Sequence, residues 1–204
     1  DDKGGIQVST DVKVGEVTGT ASLLFEGDVM SPTRQQISGR SSAIVHGGEY
    51  YIGVAPSTTF LQTDSTLRYK LVAVTPEGRI VPDTRITIKV VQRIWRSVRK
   101  AETGGRYAWV SEEDDLIVDS TVVQSEVKSK ELLFTPKQAG FYFIEAEGKD
   151  RRGNQILTHA YFYVSGSGYV PWQRNNDDRI ELVTNKTNFA PGEHASILVK
   201  SPYE

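Results

Sequence analysis

The chain has 204 residues, a formal net charge of −2 and no cysteine. This length fits one large domain or two small ones, since a typical domain has roughly 100–150 residues. The balanced charge gives no field that favours nucleic acid, and the lack of cysteine excludes disulfides, thiolate metal sites, cysteine nucleophiles and thioesters within the chain. No apolar run approaches the roughly 20 residues that span a bilayer, so we predict no direct membrane insertion by this chain.

Composition and periodicity predict a chain that is nearly all β. Val, Ile and Thr together number 52, whereas Ala and Leu together number 22. Branched side chains suit a pleated surface, and Ala and Leu favour helices. Alternation of polar and apolar residues predicts strands at 67–74, 85–90, 141–146, 160–164 and 196–200. Turn signals at 75–78, 150–154 and 190–193 separate short strands, a spacing that is typical of a β-sandwich.

The chain also repeats itself at long range. Residues 26–47 and 147–166 share the order strand, polar turn, Gln-Ile, strand and glycine exit, and residues 51–72 echo 180–199. A period of 100 residues or more, as here, indicates tandem domains rather than a solenoid. We therefore predict the C-terminal part of one domain at 1–48, a complete domain at 49–167 and the first strands of another at 168–204. This organisation also predicts that the piece comes from a longer chain.

Four passages resemble the bacterial alpha-2-macroglobulin family. The most specific is Ser-Ile-Leu-Val-Lys-Ser-Pro-Tyr at 196–203, which follows the Asp-Asp-Arg-Ile-Glu-Leu-Val and Pro-Gly-Glu stretches of 177–193. The others are Phe-Thr-Pro with Gly-Phe-Tyr at 134–142 and Arg-Gln-Gln with Tyr-Tyr-Ile-Gly at 34–53. The resemblance implies tandem seven-stranded antiparallel β-sandwiches of the macroglobulin-like, Ig- or fibronectin-like kind.

The resemblance also implies a function. In this family, sandwiches form the body of a broad-spectrum endopeptidase inhibitor that traps proteases after they cut a bait segment. This chain has no cysteine for a thioester and no long, loose bait, so it is similar to the scaffold. The implied partners are neighbouring domains of the same chain and, through the full-length parent, target proteases. The implied location is bacterial and periplasmic, cell-surface or secreted, with a membrane anchor before this piece as one option.

Aromatic side chains flank the predicted domain boundaries. They are Tyr50, Tyr51, Tyr169, Trp172 and Tyr203. Aromatics at such places can pack neighbouring domains together and fix the angle between them, and Trp172 follows a stiff proline. The alternative is that these residues belong to the core of a single domain.

Three other groups of polar residues could in principle bind a metal ion, but we interpret them as ordinary surface or linker residues. His46, His159 and His194 lie too far apart in sequence for the usual zinc spacing, so we predict no metal site. The acidic run at 112–115, with Asp119, lacks the spaced calcium pattern, and the polar run at 175–178 fits a linker better than a calcium site.

One basic run, at 93–100, lies close in sequence to this acidic run. Arginine beside an aromatic can contact nucleic acid, but a hairpin whose opposite charges screen each other is the preferred interpretation. Trp95 and Trp109 are then expected to seal the edge of a sandwich.

The sequence contains no sign of catalysis. It lacks a Gly-x-Ser-x-Gly elbow and a glycine-rich phosphate loop, so we predict no enzyme and no cofactor. An Ig-like binding module of a bacterial surface adhesin or a carbohydrate-binding protein shares the predicted fold and remains the alternative function. An accessory β-domain of a secreted enzyme is a weaker third.

Overall fold

The computed structural model describes residues 5–10, 19–101, 107–167, 170, 172 and 179–201, with side chains omitted at 97–101 and 107–111. Every regular element in these residues is a β-strand, which confirms the all-β prediction. No helix in the described residues is long and apolar enough to cross a membrane. The strands are β1 (Ala21–Met30), β2 (Gln36–Val45), β3 (Tyr51–Pro56), β4 (Phe60–Gln62), β5 (Leu67–Val74), β6 (Arg85–Ala101), β7 (Tyr107–Gln124), β8 (Lys130–Phe134), β9 (Gly140–Lys149), β10 (Gln155–Ser165), β11 (Glu181–Thr184) and β12 (Ile197–Lys200).

Two sheets form a sandwich from β3 to β10. One has the order β3-β5-β8 and the other the order β4-β10-β9-β6-β7. Seven of these eight strands pair antiparallel, and the three-residue β4 adds a parallel pair with the end of β10. The free half of β10 lies beside β3, where the Thr158 hydroxyl donates a hydrogen bond of 2.7 Å to the Ile52 carbonyl. A side chain thus joins the two sheets at an edge where no backbone ladder does.

The core lies between these two sheets and is built by strand alternation. On β5, Leu67, Tyr69, Leu71 and Ala73 are buried and the residues between them are more exposed. Successive side chains of a strand point to opposite faces, so one apolar set enters the core. The other buried members of the cluster are Tyr50, Ile52, Leu61, Ile86, Ile88, Val90, Tyr142, Ile144, Ala146, Ile156, Phe162 and Val164.

The three predicted turns are confirmed. Each contains a glycine with a positive φ of 82° to 88°, at Gly78, Gly153 and Gly192, and each is closed by a backbone hydrogen bond of 2.9–3.1 Å. Only glycine adopts this left-handed conformation without steric cost, which is why the sequence marks these turns clearly.

The hairpin of β6 and β7 is longer than predicted. The two strands pair through 17 positions of β6, but β9 accompanies β6 only from Thr87 to Arg93. A register shift beside Val90 leaves Val118 of β7 without a partner, which is a β-bulge. Bulges increase local twist. Beyond Arg93 the hairpin continues as two strands that β9 does not support.

The predicted charge pairing on this hairpin is confirmed. Arg93 lies 2.8 Å from Glu113 and 2.8 Å from Asp115, and Arg96 lies 2.5 Å from Asp114. The Arg93 guanidinium holds the pKa of Asp115 below its usual range through a hydrogen bond. The basic and acidic runs of the sequence are therefore the facing strands of one hairpin, and they neutralise each other.

Two further hairpins lie on either side of the sandwich in sequence. Strands β1 and β2 pair through ten positions, and β11 and β12 through four. Both carry exposed apolar side chains, among them Leu24, Val29 and Ile37 on the first and Leu182 and Val199 on the second. The predicted domain limits, 1–48, 49–167 and 168–204, stay a prediction.

Candidate functional site: two hairpin junctions

The two places where a hairpin meets the sandwich contain three of the aromatic residues singled out in the sequence, Tyr50, Tyr51 and Trp172. We call the contacts around Tyr50 and Tyr51 the N-terminal junction and those around Trp172 the C-terminal junction. Tyr50 and Tyr51 are neighbours at the start of β3, so their side chains leave the strand on opposite sides. Tyr50 belongs to the buried core cluster, whereas Tyr51 contacts the residues around β2.

Tyr50 needs a glycine on the strand that it crosses. Its hydroxyl donates a hydrogen bond of 3.2 Å to the Lys149 carbonyl, and a Cβ on Gly148 would collide with that hydroxyl. Burial, assisted by the charge of Asp150, raises the pKa of Tyr50, so the phenol stays protonated and remains a donor. Position 148 is therefore a glycine because the Tyr50 hydroxyl lies too close to the backbone to leave room for a Cβ.

Asp150, in the turn after β9, is hydrogen-bonded to the segment that precedes β3. Its carboxylate accepts hydrogen bonds from the backbone N–H groups of Glu49, Arg152 and Asn154 at 2.8–3.1 Å, and from the Asn154 side chain at 2.8 Å. Burial alone would raise the pKa of Asp150, but these donors outweigh it and the pKa is lowered. Glu49 adds ion pairs to Arg151 and Arg152 across the same turn.

Tyr51 contacts the first hairpin through exposed polar groups. Its hydroxyl hydrogen-bonds with the Thr20 hydroxyl at 2.6 Å and with Nδ1 of His46, and its ring meets the His46 ring edge-on at 5.6 Å between centroids. Gly47 approaches the backbone of Gly19 so closely that a Cβ at 47 would overlap it. The close approach of Gly47 and Gly19 lies within the first hairpin, next to the Ala21–Val45 pair. The hairpin therefore meets the sandwich here through surface hydrogen bonds and the ring contact of His46 with Tyr51.

A small cavity of 230 Å³ lies beneath this contact. Gly47, Gly48 and Ile156 are part of its lining. A wider, open groove of 740 Å³ runs along the neighbouring end of the sandwich, between the segment Val81 to Arg85 and the Asp150 turn. Its lining mixes acidic and basic side chains, so its charge selects no class of ligand.

The C-terminal junction is built from a buried ring, a half-buried ring and a buried cation. Trp172, 9% exposed, meets the Tyr163 ring of β10 edge-on, with centroids 5.8 Å apart. Nζ of Lys200, on β12, lies 4.8 Å from the Tyr163 centroid and 5.8 Å from that of Trp172. An ammonium near two ring faces makes favourable cation–π contacts, which strengthen as water is excluded.

A carboxylate from β11 completes this arrangement. Nζ of Lys200 lies 2.6 Å from Oε2 of Glu181, and the Tyr163 hydroxyl is 3.4 Å from the other carboxylate oxygen. The Lys200 side chain is 8% exposed and that of Glu181 is 53% exposed. Burial and the nearby Glu181 raise the pKa of Tyr163 to about 12. We call Lys200, Glu181, Tyr163 and Trp172 the lysine clasp.

A second set of contacts holds the same hairpin to the loop before β4. The backbone N–H of Thr59 and the hydroxyl of Thr58 each donate to the Asn185 carbonyl at 3.2 Å, and the Thr59 hydroxyl donates to the Thr184 carbonyl. The C-terminal hairpin is thus held at two points, one through side chains and one mainly through carbonyls.

The structure brings together only part of what the sequence singled out. Tyr169 and Tyr203 lie outside the described residues, as does the side chain of Trp109. His46 is at the N-terminal junction, and His159 lies 3.1 Å from Glu145 on the outer sheet face. No group of three or more His, Asp or Glu suited to a metal ion occurs among the described residues.

Sequence reasoning missed the residues that complete the junctions. Lys200, Glu181, Gly148 and Asp150 were interpreted as ordinary strand or turn residues. The available signal was position: Lys200 and Glu181 face each other across the β11–β12 pair. Their pairing was therefore open to inference from the register, but their burial against Tyr163 was not.

These features define a class of protein: an all-β sandwich flanked by two hairpins, each of which contacts the sandwich at a junction. The sequence and structure neighbours narrow this class. They are bacterial alpha-2-macroglobulins, and they cover most of the chain.

The sequence matches are distant but long. The chain is 21% identical over 197 residues to an alpha-2-macroglobulin homolog of Nostoc sp., covering 95% of the chain and 9% of the relative. It is 22% identical to the alpha-2-macroglobulin of Escherichia coli, covering 99% of the chain and 13% of the relative. The chain thus spans about a tenth of the length of these relatives. No family model matches it.

The solved structures agree in fold. Native E. coli alpha-2-macroglobulin, determined by cryo-electron microscopy, gives a TM-score of 0.62 at 16% identity, covering 98% of this chain and 13% of that one. Salmonella alpha-2-macroglobulin reacted with methylamine gives 0.56 at 12% identity, covering 92% and 12%. At such identities the likeness establishes the fold, which is that of macroglobulin domains.

Proposed function

We propose that this chain is a non-enzymatic scaffold piece of a bacterial alpha-2-macroglobulin-like inhibitor that traps endopeptidases of broad specificity. The observation that carries the proposal is the coverage of 95% and 99% of the chain by two proteins that bear the alpha-2-macroglobulin name. The match spans both hairpins as well as the sandwich. A lone Ig-like module, such as that of an adhesin, would be expected to match over the sandwich only.

The part played by this chain is mechanical. A trap must hold its domains at set angles before a protease acts, and it must let those angles change afterwards. The two junctions fit such a role because each joins a hairpin to the sandwich through several independent contacts. We assign Tyr51 and Trp172 to the contacts that set these angles, Tyr50 to the core support beneath the first, and Tyr169 and Tyr203 to the second as sequence-based candidates.

Partners and location follow from the same proposal. The immediate partners are neighbouring domains of the same polypeptide, and proteases are met by the whole protein. Proteases that such an inhibitor meets act outside the cytoplasm, so we place the protein in the periplasm or at the cell surface, or outside the cell.

A trapping assay on the full-length protein that carries this chain tests the proposal. The protein is mixed with a general protease, and cleavage of a large protein substrate is compared with cleavage of a small peptide. We expect loss of activity on the large substrate alone, because an enclosed protease still admits peptides. Equal activity on both substrates would overturn the proposal and favour a binding module.

A further inference from the structure

Four aromatic side chains form a continuous row on the outer face of the five-stranded sheet, away from the core. Ring centroids are 5.0 Å apart between Trp95 and Phe141, 5.3 Å between Phe141 and Tyr163, and 5.8 Å between Tyr163 and Trp172. All three distances lie within the range in which aromatic rings attract each other. We call Trp95, Phe141, Tyr163 and Trp172 the aromatic row.

The two ends of the row lie at different parts of the molecule. Trp95 follows Arg93 by two residues, and Arg93 is the last residue of β6 that pairs with β9. Trp95 is therefore at the root of the unsupported part of the β6–β7 hairpin. The other end, Trp172, belongs to the lysine clasp. The aromatic row therefore connects the base of the unsupported part of the β6–β7 hairpin to the lysine clasp, where the C-terminal hairpin contacts the sandwich.

Trp95 also has a buried polar group that lacks a hydrogen bond. It is 7% exposed, and its indole N–H is buried without a hydrogen-bond partner in the described part of the chain. Buried tryptophan N–H groups normally find an acceptor, and an unpaired buried donor is unfavourable. Packing against Phe141 holds the ring inward, whereas a ring turned outward would give the N–H to water. An outward turn of Trp95 would therefore relieve this unfavourable feature at the expense of the contact with Phe141.

We propose that Trp95 is a positioning residue for the C-terminal junction, acting through the aromatic row. When Trp95 packs inward, it supports Phe141, which supports Tyr163 and so the lysine clasp. When the β6–β7 hairpin shifts and Trp95 turns outward, this support is lost and the C-terminal hairpin loosens. The inference rests on the proposed scaffold function for its purpose, but it concerns contacts within this chain alone.

Hydrogen exchange of the 204-residue chain, measured by mass spectrometry, tests the coupling. The signal is exchange in peptides of β11 and β12 relative to peptides of β5. We expect Trp95→Leu and Phe141→Leu each to speed exchange in β11 and β12 by about threefold to tenfold, with a smaller change in β5. The double variant should be no faster there than Phe141→Leu alone, because Phe141 carries the connection.

Two further variants keep the test decisive. Ile88 is on β6 but faces the core. Ile88→Ala should therefore speed hydrogen exchange in β5 at least as much as in β11 and β12. Trp95→Phe retains a ring against Phe141 and should keep exchange in β11 and β12 within about twofold of the parent chain. Equal acceleration by Phe and Leu at position 95 would overturn the proposal, as would multiplicative effects in the double variant.

Failure of this inference and failure of the proposed function give different results. If the row carries no coupling, exchange in β11 and β12 is unchanged in Trp95→Leu while the full-length protein still protects the large substrate from a trapped protease. If the trap proposal fails, the assay on two substrates shows equal activity whatever the exchange rates.

Discussion

The two hairpin junctions hold their hairpins by different means. The C-terminal junction buries Trp172 and the Lys200 ammonium against Tyr163, so most of its free energy comes from side chains removed from water. At the N-terminal junction the first hairpin meets β3 through the exposed hydrogen bonds of Tyr51 with Thr20 and His46 and through the edge-on contact of the His46 and Tyr51 rings. Burial of rings stabilises by several kcal/mol, whereas an exposed hydrogen bond contributes about 1 kcal/mol. The C-terminal junction should therefore be the stiffer of the two.

The largest expected effect comes from Trp172→Ala. Truncation of a buried tryptophan in a core costs about 3–5 kcal/mol, and here we expect about 3 kcal/mol, confined to docking of the C-terminal hairpin. Small-angle scattering should show a changed distance distribution, while the melting temperature of the sandwich changes less. Leu182→Ala, an exposed position on the same hairpin, is the matched control. An unchanged scattering profile for Trp172→Ala would contradict the junction assignment.

A smaller loss of stability is expected when the Asp150 carboxylate is removed, either by protonation at low pH or by mutation. Its pKa is lowered in the folded chain from an ordinary value of 3.8, so its contribution is present above that value and is lost as the pH falls through the folded pKa. Denaturant unfolding at neutral pH and at about pH 3 should show this loss.

Asp150→Asn is the variant that isolates this carboxylate. We expect it to reduce stability at neutral pH by about 1–3 kcal/mol, because an amide cannot accept all of the N–H groups that now surround the carboxylate. It should also remove the corresponding part of the acid dependence. If the variant and the parent chain lose stability in parallel between the two pH values, Asp150 is not the titrating group.

The lysine clasp predicts an asymmetry between its two charged partners. Glu181→Gln leaves the Lys200 ammonium buried without a counter-charge, and we expect a cost of about 1–2 kcal/mol, moderated because Glu181 is half-exposed. Lys200→Met removes the buried charge and keeps much of the side-chain volume, so it should stay within about 1 kcal/mol of the parent. Denaturant unfolding measures both. Equal costs for the two variants would argue that the cation–π contacts, rather than the buried charge, dominate.

Tyr51→Phe should have the smallest effect. It removes the hydroxyl that contacts Thr20 and His46 but keeps the ring, so we expect about 0.5–1 kcal/mol at the N-terminal junction. Hydrogen exchange of β1 and β2 is the measurement. Tyr161→Phe, on the exposed outer face of the sheet, is the control. A loss several times larger would mean that the N-terminal junction is as firmly held as its counterpart.

Some features of the fold were open to prediction because local chemistry determines them. Strand β5 was predicted at 67–74 and spans Leu67–Val74, since alternation of buried and exposed side chains is visible in the sequence. The three turns were predicted because glycine alone adopts their left-handed backbone cheaply. The facing charges of β6 and β7 were also predicted, because a basic run and an acidic run lie close to each other in the sequence.

Other features depend on which distant strands become neighbours. Strand β4 has only three residues, too few to show alternation, and it is defined by its parallel pairing with β10. The aromatic row could not be predicted from the sequence. Phe141 and Tyr142 are adjacent aromatic residues, and only their positions in the folded sheet show that Tyr142 faces the core and Phe141 does not. Lys200 was predicted only as part of a strand at 196–200, because its burial depends on rings and a carboxylate from three other segments.

The contact between Tyr50 and Gly148 links the choice of residue at two positions that are far apart in the chain. A side chain larger than hydrogen at 148 is incompatible with a phenol at 50 in this backbone, since the added Cβ meets the hydroxyl. Phenylalanine at 50 removes that obstacle and the hydrogen bond together. In homologous sandwiches, Tyr with Gly and Phe with Ala should therefore co-vary at these positions, whereas Tyr with Ala should be rare.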